Sequence, residues 1–102
     1  MATWKNVVDA SKIPVNQNYV AIINDMAIAI FNINGIYYAI EDNCSHKGLP
    51  LSDGAIFETE IECPFHGARF CLKSGEALTP PACENIKTFN IRQENNMLQI
   101  EI

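Results

Sequence analysis

The sequence has no long run of apolar residues. Its longest purely apolar stretch, from Met26 to Phe31, covers six residues, whereas a membrane-spanning helix needs about 20. The first residues, Met1 to Lys5, are not followed by the apolar segment of a secretory signal peptide. We therefore expect a protein that has no membrane partner and resides in the cytoplasm.

Basic residues are also scarce. Seven Lys and Arg residues stand against twelve Asp and Glu residues, which gives a formal net charge of −5 at pH 7. Proteins that bind nucleic acids neutralise phosphates with clustered positive charge. The charge balance therefore argues against nucleic acid as a partner.

Helical periodicity, internal repeats and linkers are absent as well. The 102 residues are 48% hydrophobic, enough for one core, and they are arranged as short β-rich runs. The run Tyr19 to Ile23 ends at a turn, Asn24-Asp25, and Asn34-Gly35 is a strong hairpin signal because both residues tolerate positive φ. Period-two alternation from Lys87 to Arg92 and from Leu98 to Ile102, on either side of a turn, predicts a half-buried antiparallel hairpin. We predict an all-β fold, a small antiparallel sandwich or barrel.

The segment from Asp42 to about Pro81 differs from the rest of the chain. Glycine and proline residues interrupt its β-pattern, and all four cysteines and both histidines fall within it or next to it. A loop-rich insert that carries the metal-capable side chains, set into a β framework, is typical of a site mounted on a scaffold.

Two short clusters each combine one cysteine with one histidine. Cys44-Ser45-His46 is followed, after sixteen residues, by Cys63-Pro64-Phe65-His66. Gly48 and Gly67, which come just after the clusters, let the backbone bend close to a bound group. The chain has only these two histidines, and each stands near a cysteine, so a shared metal site is favoured over unrelated side chains. The predicted metal ligands are Cys44, His46, Cys63 and His66.

Two kinds of metal site suit two cysteines and two histidines. Zinc binds such sets, but zinc fingers usually group Cys with Cys and His with His, whereas here each cluster has one of each. The mixed pattern favours a [2Fe–2S] centre in which Cys44 and Cys63 bind one iron and His46 and His66 bind the other. A structural zinc module is the alternative.

No catalytic machinery accompanies these ligands. The sequence has no Gly-rich nucleotide fingerprint, no third histidine for a mononuclear iron site and no Ser-His-Asp candidate set. We therefore expect an electron carrier and not an enzyme in its own right.

The two clusters, Cys44-Ser45-His46-Lys47-Gly48 and Cys63-Pro64-Phe65-His66-Gly67, resemble the ligand boxes of the Rieske iron–sulfur family. The resemblance covers essentially the whole chain. The resemblance is closest to the small Rieske ferredoxins of aromatic-ring dioxygenases, especially the naphthalene and biphenyl types. It is carried by three stretches: Arg69-Phe70-Cys71, Ser74-Gly75 and Asn85 to Phe89. It implies a single Rieske domain over residues 1–102, with one [2Fe–2S] cluster and a cluster-binding subdomain of about residues 42–81.

The resemblance also implies partners. A flavoprotein ferredoxin reductase that uses NAD(P)H would donate the electron, and a terminal Rieske oxygenase would accept it. The small subunit of an assimilatory nitrite reductase is the alternative. Several such subunits lack the metal ligands, so the intact set here counts against that alternative.

Two positions after the second box indicate a low reduction potential. High-potential Rieske proteins place Ser and Tyr where this chain has Ala68 and Phe70, whose side chains donate no hydrogen bond to sulfur. Such bonds stabilise the reduced, more negative state. We expect a potential toward the bottom of the Rieske range, about −150 mV.

Side chains outside the two boxes are expected to be mainly structural. Cys71 and Cys83 are predicted to be free thiols in or near the core, as in a reducing compartment. Carboxylates crowd the stretch before and between the boxes, where they form either a solvated face or a docking surface for a basic partner. These carboxylates are Glu41, Asp42, Asp53, Glu58, Glu60 and Glu62. The aromatic residues expected in strands and core are Trp4, Tyr37, Tyr38, Phe57 and Phe89.

Overall fold

The computed structural model describes residues 3–43, 51–52, 54–64, 67–78 and 85–101. In these ranges the chain forms strands and one short 3₁₀ helix, η1. In order, the elements are β1 (Trp4–Asp9), η1 (Ala10–Lys12), β2 (Asn18–Ile23), β3 (Met26–Ile33), β4 (Ile36–Glu41), β5 (Ala55–Phe57), β6 (Glu60–Glu62), β7 (Arg69–Cys71), β8 (Thr88–Phe89), β9 (Ile91–Glu94) and β10 (Met97–Glu101). No helical segment in these ranges is long and apolar enough to cross a membrane.

The strands form three antiparallel sheets. Their orders are β1-β10-β9, β2-β3-β4-β8 and β5-β6-β7. The first two sheets are named the framework, and β5-β6-β7 is named the small sheet. This architecture confirms the predicted all-β antiparallel fold.

The two hairpins of the four-stranded sheet have the turns that the sequence predicts. Ile23 pairs with Met26 across Asn24-Asp25, and Ile33 pairs with Ile36 across Asn34-Gly35. All four turn residues have positive φ, between 51° and 86°, as a type I′ turn requires. These dipeptides therefore determine the register of β2, β3 and β4.

Strand β3 lies between two cores. Side chains of a strand alternate between its faces, and Ala29 and Phe31 join the core that contains Cys63, whereas Ile28 and Ile30 join the core that contains Leu98. The four-stranded sheet is thus a middle layer. It packs on one side against β1-β10-β9 and on the other against the small sheet and its loops.

The C-terminal segment only partly matches the predicted hairpin. Strands β9 and β10 form a hairpin closed at Asn95, which has a φ of 57°. The preceding residues were expected in the same hairpin, but β8 pairs with β4 in the other sheet, where Phe89 lies opposite Ala39. The chain changes sheets at Asn90, whose carbonyl accepts the Glu101 N–H at 3.0 Å. The alternation of apolar and polar residues does not reveal this change of sheet, because the residues before and after Asn90 share the same period of two.

Candidate metal centre

Of the four predicted ligands, Cys63 lies in the described residues, and Cys44, His46 and His66 lie outside them. Cys63 directly follows β6, is 1% exposed and has a free thiol. Within the described part of the chain, no three His, Cys, Asp or Glu side chains converge. The structure therefore locates one predicted ligand, and the full set stays a prediction.

The segment that follows Cys63 is closed at its base by backbone hydrogen bonds. The Cys63 N–H donates to the Ala68 carbonyl at 2.7 Å, and the Gly67 N–H donates to the Cys63 carbonyl at 3.0 Å. Gly67 has a φ of 74°, a left-handed value that glycine adopts at no steric cost. The second ligand box thus begins directly after β6 and ends just before β7, and hydrogen bonds join its two ends.

A side chain joins the two ends of the segment that contains the first box. Asp42 Oδ1 accepts the backbone N–H groups of Leu51 and Ser52, both at 2.7 Å. Leu51 is fully buried in the same core as Cys63. The chain therefore enters and leaves both boxes next to one shared core.

A third segment, residues 79–84, is also closed at its base. The Asn85 side-chain oxygen accepts the Ala77 N–H at 3.0 Å, and the Ile86 N–H donates to the Gly75 carbonyl at 2.8 Å. Gly75 has a φ of 78°, and a Cβ there would overlap the Ile86 carbonyl oxygen. Only glycine allows this close approach of two backbones.

The surroundings of Cys63 are apolar. Its core includes Ile61, Ala68, Phe70 and Leu72, each no more than 1% exposed. A thiolate in such a place needs a compensating cation, because an unpaired buried charge is costly. A metal supplies that charge, so the residues present fit an iron–sulfur group bound through Cys63.

Cys71 is a free thiol at the end of β7, and it is half-buried. The Ser74 side chain hydrogen-bonds to it and lowers the pKa of the thiol, whereas burial acts in the opposite direction. The prediction of a free thiol is confirmed for Cys71. Cys83 lies outside the described residues.

Phe57 lies in strand β5, as expected for an aromatic residue in the strands or the core, but it does not belong to the core. Phe57 is 43% exposed on the outer face of the small sheet, where the Arg69 guanidinium lies 4.2 Å from its ring centroid. Glu60 Oε1 lies 3.9 Å from Arg69 Nη1 on the same face. Ile61 and Phe70 fill the inner face instead, because strand residues alternate between faces.

The carboxylates of the predicted acidic stretch differ in their exposure and in their hydrogen bonds. Glu58 is exposed and Glu60 and Glu62 are half-buried, whereas Asp42 is not part of a solvated face, because its carboxylate is bonded to the backbone of Leu51 and Ser52. Sequence reasoning missed this role because the partners are nine and ten residues away and no periodic pattern marks them. Asp53 lies outside the described residues.

The family model of the Rieske [2Fe-2S] domain matches residues 3–90. The chain belongs to the Rieske [2Fe-2S] family. Its cofactor is accordingly a Rieske-type [2Fe–2S] cluster. The chain combines a β framework with a smaller sheet next to a buried cysteine.

Curated relatives within the Rieske family are ferredoxins. The 3-phenylpropionate/cinnamic acid dioxygenase ferredoxin subunit of Escherichia coli (strain K12) is 41% identical over 76 residues, which cover 74% of this chain and 72% of the relative. The same subunit of Shigella flexneri matches equally. These relatives are electron-transfer components of dioxygenases, and the sequence predicts the same role for this chain.

Solved Rieske-like structures superpose over nearly the whole chain. The ferredoxin of Sphingomonas yanoikuyae B1 has a TM-score of 0.89 at 27% identity, covering 98% of this chain and 99% of that one. A complex of reduced oxygenase and oxidised ferredoxin in carbazole 1,9a-dioxygenase contains a chain with a TM-score of 0.86 at 26% identity, covering 95% and 91%.

Proposed function

We propose that this protein is the ferredoxin component of an aromatic-ring dioxygenase system, carrying one electron at a time to the terminal oxygenase. The observation that carries the proposal is the 41% identity to dioxygenase ferredoxin subunits over about three quarters of the chain. A flavoprotein reductase that uses NAD(P)H is the proposed electron donor. The chain is thus an electron-transfer component and not an enzyme in its own right.

We assign Cys44 and Cys63 to one iron of the cluster and His46 and His66 to the other. The buried free thiol of Cys63 supports this assignment, as do the two box segments whose bases meet at one core. When bound, the [2Fe–2S] cluster supplies the capacity to accept and release one electron. Around Cys63, the apolar side chains of Leu51, Ile61 and Phe70 exclude water.

The extent and location of the domain belong to the same proposal. Residues 1–102 form one Rieske domain, with residues 42–81 as its cluster-binding subdomain, and the protein acts in the cytoplasm. The small sheet and the two closed box segments, whose bases lie between Asp42 and Ala68, support this division.

The cofactor assignment is tested by visible absorption of the purified protein and by EPR after reduction with dithionite. We expect a red-brown protein with the low-average-g rhombic signal of a His-ligated [2Fe–2S] centre. Iron and acid-labile sulfide should be present at about two atoms each per chain. A colourless, EPR-silent protein that contains stoichiometric zinc would replace this proposal with a structural zinc module.

The partner assignment needs a second experiment. The purified protein is combined with an aromatic dioxygenase and a flavoprotein ferredoxin reductase, and NADH consumption and product formation are followed. We expect turnover that depends on this protein. A holoprotein that supports no oxygenase but co-purifies with the large subunit of a nitrite reductase would favour the alternative assignment.

A further inference from the structure

One carboxylate oxygen joins the described residues on either side of the first ligand box. Its segment leaves β4 at Asp42 and rejoins the described chain at Leu51. Asp42 Oδ1 accepts from both Leu51 N and Ser52 N at 2.7 Å. The same atom therefore joins the two ends of the segment.

Both ends of this connection are anchored independently. On one side, the Asp42 N–H donates to the Ala27 carbonyl at 2.9 Å, which places Asp42 beside the start of the framework strand β3. On the other side, Leu51 is fully buried in the core of Cys63, and the Asn18 side-chain amide donates to the Ser52 carbonyl. The carboxylate thus links the framework to the core that contains the second box.

The second box is closed in another way. Both bonds at its base join backbone groups of Cys63 to those of Gly67 and Ala68, so a change of side chain does not remove them. Only the first box has a base that depends on a side-chain acceptor in the described residues. A loop whose ends are held together loses less conformational entropy when a ligand orders it.

We infer that Asp42 is a positioning residue for the first box, acting through its Oδ1 acceptor to hold Cys44 and His46 ready for the cluster. The inference rests on the proposed function, because it takes Cys44 and His46 as cluster ligands. The geometry uses the oxygen as an acceptor of two N–H groups. Asp42→Asn keeps an oxygen acceptor at this position and should therefore preserve the role of Asp42. Asp42→Ala removes the acceptor and should lose that role.

The test compares the rate of cluster loss in four holoproteins: wild type, Asp42→Ala, Asp42→Asn and Asp9→Ala. Loss is followed as the decay of visible absorbance in excess EDTA. Asp9 is the matched control, because its Oδ1 also accepts a backbone N–H, that of Ser11 at 2.9 Å, but at the start of η1 in the framework. We expect Asp42→Ala to lose the cluster at least about tenfold faster than wild type, because both hydrogen bonds to Oδ1 are removed and the loss of one bond already corresponds to about tenfold. Asp42→Asn and Asp9→Ala should stay within about twofold of wild type.

Two further readouts separate positioning from general destabilisation. EPR of the reduced proteins should show shifted or broadened g-values in Asp42→Ala and wild-type values in Asp42→Asn. Hydrogen–deuterium exchange of the wild-type holoprotein should show slow exchange at Leu51 and Ser52, which tests the two hydrogen bonds even if Asp42→Ala does not fold.

Three results would overturn the inference. They are equal cluster loss in Asp42→Ala and Asp9→Ala, loss in Asp42→Asn as fast as in Asp42→Ala, and unprotected Leu51 and Ser52 amides in wild type. Failure of the proposed function looks different, because the wild-type protein would then lack the [2Fe–2S] absorption and EPR signal before any variant is compared.

Discussion

The framework and the small sheet reach their structures by different means. Strand β3 of the framework runs for eight residues and is joined to its neighbours by two-residue turns, whereas each strand of the small sheet has three residues. Short strands supply few ladder hydrogen bonds, and the bases of the segments around the small sheet are joined by two hydrogen bonds each, at Asp42, at Cys63 and at Asn85 with Ile86. The β2-β3-β4 part of the framework therefore depends on local sequence, whereas the segments around the small sheet depend on contacts between residues that are not neighbours in the chain. Substitutions in the two parts should differ accordingly.

The largest expected difference concerns the two described cysteines. Cys63→Ser replaces the buried thiol with a weaker iron ligand and should abolish nearly all cluster binding. Cys71→Ser changes a free, half-buried thiol and should keep the cluster. Iron content and visible absorbance measure both. Full iron loading in Cys63→Ser would refute the assignment of Cys63 as a ligand.

Two glycines with positive φ provide the next comparison. Gly75→Ala places a methyl group against the Ile86 carbonyl, whereas Gly35→Ala, in a framework turn, meets no atom within 4 Å. Gly35→Ala should cost only the left-handed backbone penalty, about 1 kcal/mol. Gly75→Ala adds a clash and should cost about 3 kcal/mol. Urea unfolding of the holoproteins measures both, and equal losses would show that the Gly75 contact relaxes freely.

The reduction potential tests the apolar surroundings of the second box. We expect a wild-type midpoint of about −150 mV. Ala68→Ser and Phe70→Tyr should each raise it by about 60 mV, the equivalent of one added hydrogen bond for a one-electron couple. Ala55→Ser, on an exposed residue of the small sheet, serves as the control. A wild-type midpoint well above zero in a redox titration would contradict this account.

The smallest effect on stability is expected for the surface ion pairs, because the small sheet and the framework each have a similar one. Glu60 in the small sheet and Glu94 in the framework each lie 3.9 Å from an arginine, and every side chain of the two pairs is at least 36% exposed. Exposed pairs contribute little because water and salt screen them. Glu60→Gln and Glu94→Gln should each change the free energy of unfolding by less than about 0.5 kcal/mol. A larger loss in Glu60→Gln alone would show that the small sheet depends on its surface charges.

The sequence was most informative where structure is encoded by neighbouring residues. Asn24-Asp25 and Asn34-Gly35 predicted two turns correctly, since a positive φ is a property of the residues themselves. The change of sheets at Asn90 and the exposure of Phe57 were not predicted. Both depend on which distant strand each residue meets, and the period-two pattern is the same in either case.

The sequence by itself determined the fold class, the hairpin turns and the pairing of one cysteine with one histidine in each box, because each is a matter of residue type and short spacing. Only the tertiary structure showed that Asp42 joins the ends of the first box segment and that Gly75 lies against the Ile86 backbone. These contacts join residues about ten positions apart through hydrogen bonds and close backbone approaches. Such contacts leave no periodic signal in the chain, because their geometry exists only once the framework and the small sheet have packed together.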